Sequence, residues 1–424
     1  MTAETKAGTH GLVLQPFRAL RPSADGPNLA SMLCPPYDVI DGEERSRLLA
    51  GNPDNAVRVV LPETDDGGDP YAEAAQRLTH WVSEGTYQVD EYPTLYVYEM
   101  RESSGATTRG LVGAVELRDP ADGVILPHEN TMSGPVADRL ALMSATEADV
   151  EPIFLVYDGG GAASQIVAGA GAGAALARAV TPDGITHTLW GFTGTDVHEA
   201  VARDLRQRHA LIADGHHRYA TYRELQARLR AERGAGPWDY GLTLLVDSTS
   251  YGPQVHAIHR VLIGLSLEDA VARARQWGVV ATEAGGAEDG LRRAEGESGF
   301  AAVLADGSRA TLLTDPGRRL SGAVGEQAEP NALAELDITV LHRGLVERVW
   351  ELTDSVDVVG YAHSVDEAIQ LALAGNGTAV LMRPTPVAAV AAVAAAGARM
   401  PRKSTLFTPK PASGLLMRRF IDAG

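Results

Sequence analysis

The chain has 424 residues, 45% of them hydrophobic and 22% charged, which are the proportions of a folded globular protein and not of a disordered one. Its formal charge of −18 argues against a large nucleic-acid footprint, which needs clustered lysine and arginine, yet leaves room for a local anion pocket. One cysteine, Cys34, excludes an internal disulfide framework and any cysteine-based zinc cluster and suits a reducing compartment. Because single cores rarely grow beyond about 250–300 residues, two domains or one large domain with an appendage are expected. The opening MTAETKAGTHGLVLQPF lacks a secretory pattern, and VAAVAAVAAAG is too short and alanine-rich to span about 30 Å of hydrocarbon. A cytoplasmic protein without a membrane anchor is therefore predicted.

In chain order, PFRALRPS and LCPPYDVIDGEERSRLLAGNPDNAVRVVLPE alternate strand-like runs with proline turns, with one helix starting near Gly42. The stiff turns Pro35-Pro36-Tyr37-Asp38 and Asn52-Pro53-Asp54-Asn55 suit either a cleft lining or plain connectors. Ala74, Leu78 and Trp81 predict a helix over 71–84, after which TLYVYEM and TRGLVGAVEL predict adjacent strands. The segment from GVILPHENT to EPIFLVYD predicts two strands around a helix at 136–145. Residues 159–176 are rich in glycine and alanine, a loop leading into a helix with no chemistry of its own. Then come a strand at 210–213, the turn Asp214-Gly215 and a helix over about 218–233. TLLVDSTSYGPQVHAIHRVL predicts two short strands joined by a turn. Beyond it, helices at 266–276, 286–295 and 330–350 alternate with strands at 299–304 and 309–313. A strand at 378–382, an alanine helix and MPRKSTLFTPKPASGLLMRRF complete the chain. This order predicts a mixed α/β (α+β) fold: a core over 1–264, a smaller α/β lobe over 265–375, and a strand, helix and basic tail over 376–424 folding back on the core.

The chemistry concentrates in three places. In LIADGHHRYATYREL, a strand, a tight turn and a helix would put backbone N–H groups and a positive dipole end beside Gly215, His216, His217 and Arg218, a geometry suited to phosphate. The alternative is Asp214 as a helix cap with surface histidines and arginine. In ILPHENT, Glu129 and Asn130 offer carboxylate and amide oxygens beside His128, a hard donor set for Mg²⁺ alongside substrate phosphates, or a base toward a hydroxyl. A helix-capping loop explains the same residues. Arg139 can reach that region or pair with Asp138 or Glu147. The tail gathers Arg402, Lys403, Ser404, Thr405, Lys410 and Ser413 in an otherwise acidic protein, either to close an anion pocket or as a solvated run. Since no GxxxxGK[ST] is present, any nucleotide site is of another kind.

PPYDVI, NPDNAVRVVLPE, LYVYEM, ILPHENT, DRLALMSATEADVEPIFLVYD, LIADGHHRYATY, HAIHRVL and MPRKSTLFTPK together resemble the DUF1015 family, over nearly the whole chain. DGHHRYAT in turn resembles the phosphate-binding turn of the ParB/sulfiredoxin superfamily, which implies a core of that type. Free serine kinases of that superfamily carry a similar Asp-Gly-His-His-Arg stretch, matched here by Asp214, Gly215, His216, His217 and Arg218, and an upstream catalytic glutamate, for which Glu129 is the candidate. Sulfiredoxin's catalytic cysteine would fall at His216, which argues against peroxiredoxin repair. The resemblance implies a nucleotide-dependent small-molecule kinase acting on a hydroxyl metabolite such as L-serine, with ATP or ADP and Mg²⁺ as cofactors. Catalysis would fall to Glu129, Asp214, His216 and His217, phosphate binding to Gly215, His216, His217, Arg218, Lys403, Ser404 and Lys410, and the metal to Glu129 and Asn130. The alternative is a nucleotide-binding switch without metabolite turnover; transition-metal chemistry at His128, His216 and His217 is a third. Nucleotide and a small polar metabolite are the expected partners, without nucleic acid or membrane, and a homo-oligomer stays open.

Overall fold

The hairpin expected from TLYVYEM and TRGLVGAVEL forms the middle of a nine-stranded mixed sheet in the computed structural model, which describes residues 11–64, 67–325, 331–353, 355, 357–401 and 403–422. Its strands are β1 (Leu14–Gln15), β2 (Leu95–Arg101), β3 (Thr107–Glu116), β4 (Ile125–Leu126), β5 (Ile153–Tyr157), β6 (Ala177–Val180), β7 (Thr186–Phe192), β8 (Ala210–Asp214) and β9 (Tyr240–Asp247). They lie in the order β4-β8-β5-β9-β3-β2-β7-β6, with β1 beside β3. The pairs β8/β4 and β9/β5 are parallel and the rest antiparallel. Helices α1 (Pro70–Ser83), α2 (Ser133–Thr146), α3 (Thr195–Leu205) and α4 (His216–Arg233) accompany this sheet. Strand β5 is buried along its whole length, IFLVY, as a strand covered on both faces must be.

The chain divides into two compact units, one of 1–126, 131–253 and 409–424, the other of 127–130 and 254–408. The expected divisions were at 264 and 375; the compact units change at 253 and 408. The second unit holds a six-stranded antiparallel sheet of β10 (His259–Leu262), β11 (Val280–Ala284), β12 (Ala301–Ala305), β13 (Ala310–Thr314), β14 (Val359–Ala362) and β15 (Thr378–Met382). The order is β11-β13-β12-β15-β10-β14. Because β10 pairs with β14 and β15 about a hundred residues away, its membership cannot be read from local pattern. The architecture is thus a mixed α/β fold, and no helix among the described residues is long and apolar enough to cross a membrane.

The stretch NAVRVV departs from its strand-like appearance. Val57–Val60 form one helical turn with Val57, Val59 and Val60 fully buried. Asn55 decides it: its Oδ1 accepts from Val57 N at 2.9 Å while Nδ2 donates to Ser31 O and Leu33 O at 2.8 Å each. A side-chain amide that caps the turn outweighs β-branched propensity. TLLVDSTSYGPQVHAIHRVL likewise contains three strands, not two, since Gln254–His256 pairs with Leu406–Thr408 and β10 joins another sheet.

Candidate functional site

The strand, turn and helix expected around Asp214 are all present. β8 ends at Asp214, Gly215 takes a left-handed φ of +90°, and α4 begins at His216. A Cβ at Gly215 would meet Arg218 Nε and Ile153 Cγ2, both at 3.2 Å, so glycine is needed for both backbone angle and space. The α4 ladder starts with Tyr219 N–H donating to Gly215 O at 2.8 Å, which leaves the first-turn amides directed out of the helix mouth. Gly215 offers no side-chain cap at this end, and the first turn holds no acidic residue. Tyr219 and Tyr222 anchor the helix through Arg118 O at 2.6 Å and Glu151 O at 3.0 Å.

His216 is buried. His217 is half-buried and its Nε2 accepts from Met132 N at 3.0 Å, which puts the proton of a neutral ring on Nδ1. Arg218, expected as a phosphate contact, turns inward: its side chain is 5% exposed, Nη2 donates to Asp214 Oδ2 at 2.6 Å, and Nη1 donates to Pro152 O. Burial alone would lower its pKa, but Glu151, Asp214 and Asp38 raise it, so the guanidinium stays charged. Asp214 is not the side-chain cap of α4; its second oxygen, Oδ1, lies 2.8 Å from Lys410 Nζ. Lys410, 14% exposed, also donates to Asp38 Oδ2 at 2.7 Å. Burial would lower the Lys410 pKa; the flanking carboxylates of Asp214 and Asp38 raise it. Asp38 is the converse case, with burial acting upward and the charges of Lys410 and Arg218 holding it below the usual carboxylate range.

Behind the turn lies a buried carboxylate that local sequence reasoning missed. Glu151 Oε1 accepts from Tyr37 N at 3.0 Å and from Ser413 Oγ at 2.9 Å, and Oε2 sits 3.7 Å from Arg139 Nη1. Arg139 is buried, pairs with Asp138 at 2.6 Å and stacks its guanidinium over Tyr37 at 4.2 Å. Burial pushes the Tyr37 phenol up to about 12. Three cations and three carboxylates, Arg139, Arg218, Lys410, Asp38, Glu151 and Asp214, thus form one chain of charges. The signals were present: an acid inside the apolar run DVEPIFLVY, and Asp38 in a turn open to a cleft reading.

The other candidate residues belong to the second unit. Glu129 Oε1 accepts from Ser404 N at 3.3 Å, His128 Nε2 lies 3.0 Å from Thr405 Oγ1, and Met400 N donates to His128 O at 2.8 Å. Glu129 is half-buried, Asn130 exposed, and Lys403 is exposed with a left-handed φ of 55°. Arg402 lies outside the described residues. The basic tail is thereby divided, Ser404 meeting Glu129 in one unit and Lys410 meeting Asp214 in the other. Among the described residues no three His, Cys, Asp or Glu side chains are grouped to hold a metal ion. Among the described residues, cavities of about 140 to 610 Å³ occur that are lined by residues other than Asp214 to Arg218.

Fold and site together define a mixed α/β protein with a glycine turn at a helix mouth, backed by an internal ion network. The chain belongs to the DUF1015 family, described as proteins of unknown function, whose family model matches residues 14–339. No curated protein matches it. Among solved structures it is similar to a free serine kinase in complex with AMP, at 16% identity and a TM-score of 0.34, covering 67% of this chain and 83% of that one. It is also similar to a conserved hypothetical protein from Pyrococcus furiosus, at 16% identity and a TM-score of 0.34, over 71% and 94% of the two chains. SbnI with a C-terminal truncation, from Staphylococcus aureus, has 12% identity and a TM-score of 0.38 over 72% and 86%.

Proposed function

We propose that this protein is a nucleotide-dependent small-molecule kinase, moving a phosphoryl group from ATP or ADP to the hydroxyl of a polar metabolite such as L-serine. The observation that carries this reading is the left-handed turn at Gly215, which aims the first-turn amides of α4 outward beside His217 and the Lys410 ammonium. Phosphoryl transfer asks chiefly for placement and charge neutralisation. In this reading the α4 amides, His216 and His217 hold the donor phosphates, each helix-end interaction contributing about 0.3–1 kcal/mol. Arg218, held by Asp214 and Pro152, acts by fixing the turn. Lys410 can exchange one of its two carboxylate partners for a phosphate oxygen without losing charge compensation.

Glu129 and Asn130 provide the oxygen ligands proposed for Mg²⁺, with Lys403 and Ser404 on the same tail motif as further donors. One carboxylate and one amide do not by themselves make a protein cage for a metal. Bound there, Mg²⁺ would supply charge neutralisation. The acceptor oxygen bonds to phosphorus as the bond to the nucleotide breaks, leaving ADP from ATP or AMP from ADP, and the hydroxyl proton passes to a carboxylate base, for which Asp214 is the candidate in the first unit and Glu129 in the second.

AMP and ADP, named with the free serine kinase structures, serve as probes together with ATP. Calorimetry should give saturable nucleotide binding weakened at least about tenfold, or about 1.4 kcal/mol, by Gly215→Val. Labelled nucleotide with a panel of hydroxyl metabolites should then yield a phosphorylated product. Absence of nucleotide binding to the unaltered protein overturns the reading; binding without transfer replaces it by the switch.

A further inference from the structure

Far along the first unit's sheet from β8, strand register builds a second cluster of charge. Glu99 on β2 stands opposite Arg109 on β3 and Thr188 on β7, and Thr188 stands opposite Arg178 on β6, so the four lie in one row across four strands on one face. The next rung on that face pairs Arg101 with Thr186, and the preceding one carries Trp190. These side chains line a cavity of about 340 Å³, roofed by Gly171, Gly173 and Ala175 of the glycine-rich segment to which sequence reasoning assigned no chemistry. Trp190 Nε1 donates to Gly173 O at 3.3 Å and ties that roof to the sheet.

The charges do not balance. Arg109 is committed: Nε donates to Glu99 Oε2 at 2.7 Å, Nη2 to the same oxygen, and Nη1 to Val167 O at 3.3 Å, with the guanidinium 5.5 Å from the Trp190 ring and 5.0 Å from that of Tyr251. Glu99, buried, is the only carboxylate among the lining residues. Arg101 reaches it with a single Nη2 at 3.2 Å and keeps a side chain 55% exposed. Arg178 is exposed, and its backbone N–H donates to Asp25 Oδ1 at 2.7 Å. Two arginines and two threonines beyond that pair therefore line a cavity whose one internal carboxylate is already matched by Arg109. Guanidinium pairs of this kind recognise the paired oxygens of carboxylate or phosphate.

We infer that this cavity is a binding site for a small metabolite carrying two negative charges on oxygen, a dicarboxylate or a phosphate ester, engaged by Arg101 and Arg178 with Thr186 and Thr188 as further donors. The volume lies at the lower end of small-molecule pockets, which suits a compact ligand. The test is calorimetric titration of the full chain at low ionic strength with inorganic phosphate and with succinate. At least one probe should bind saturably, with affinity reduced about tenfold or more in Arg101→Gln/Arg178→Gln and retained in Gly215→Val. Both substituted arginines are exposed, so the melting temperature of the double variant should match the parent. Absence of binding by either probe, equal binding by the double variant, or loss of binding in Gly215→Val overturns the inference. Which probe binds separates the phosphate from the dicarboxylate source.

Discussion

The Asp214 turn and the Glu129 loop draw on the same C-terminal motif and hold it differently. Lys410 sits between two carboxylates at 2.7 and 2.8 Å, in a network that continues through Arg218 to buried Glu151 and Arg139. Ser404 meets Glu129 through one backbone N–H at 3.3 Å, with Asn130 and Lys403 exposed beside them in sequence. In the first region charge is buried and mutually compensated, so removing one member strands its partner away from water. In the second, the half-buried Glu129 and the exposed Asn130 and Lys403 stand nearer water, although Ser404 and His128 are buried. The first region should therefore report on stability and function together, and the second on function nearly alone.

The largest effect that would sharpen this contrast is expected for Arg218→Met. It removes the cation that serves both Asp214 and Glu151, leaving Asp214 to Lys410 and Glu151 to Arg139 alone, and should cost about 3–5 kcal/mol in denaturant unfolding. A loss below about 1 kcal/mol would break the contrast, because the network would then be dispensable.

Acid titration compares the two units next. Burial holds His187 and His259 each down to about 4, His187 between Tyr98 OH at 2.6 Å and Thr181 Oγ1 at 2.9 Å, His259 accepting from Met382 N at 3.1 Å. An unfolded histidine titrates near 6.5, so between about pH 6.5 and 4 the unfolded chain takes up a proton that the folded chain excludes. Stability must fall as pH falls through that window, by on the order of 2–3 kcal/mol for each buried ring. His187→Gln should flatten that slope in the first unit and His259→Gln in the second; melting curves whose pH dependence ignores both substitutions would refute the assignment.

The smallest structural effect is expected at Glu129→Gln, within about 0.5 kcal/mol of the parent in thermal unfolding. Under the proposed kinase reading the same substitution should slow transfer by on the order of a hundredfold. Parallel melting and turnover measurements separate the two, and a variant that unfolds early but turns over normally would reverse the contrast between the regions.

Much of the fold was legible because its signals are local. Apolar spacing marked α1 and α2, the Asp-Gly pair marked the break between β8 and α4, and alternation marked the hairpin of β2 and β3. The helical turn at Val57–Val60 was not legible, since Asn55 bonds there to residues more than twenty positions away. Nor was the inward course of Arg218, which depends on Glu151 and Pro152 arriving just ahead of β5.

Composition and periodicity alone thus determined a globular mixed α/β chain with an Asp-Gly turn before a helix expected from about Arg218, because propensity, hydrophobic period and turn chemistry act over a few residues. Tertiary structure alone decided that Lys410 reaches Asp38 and Asp214, that Glu151 is the buried anion behind them, and that Gly171, Gly173 and Ala175 border an arginine-lined cavity. Those outcomes depend on strand order and long-range burial, where ion pairs are selected by what else is shielded from water, and no local pattern along the chain encodes that.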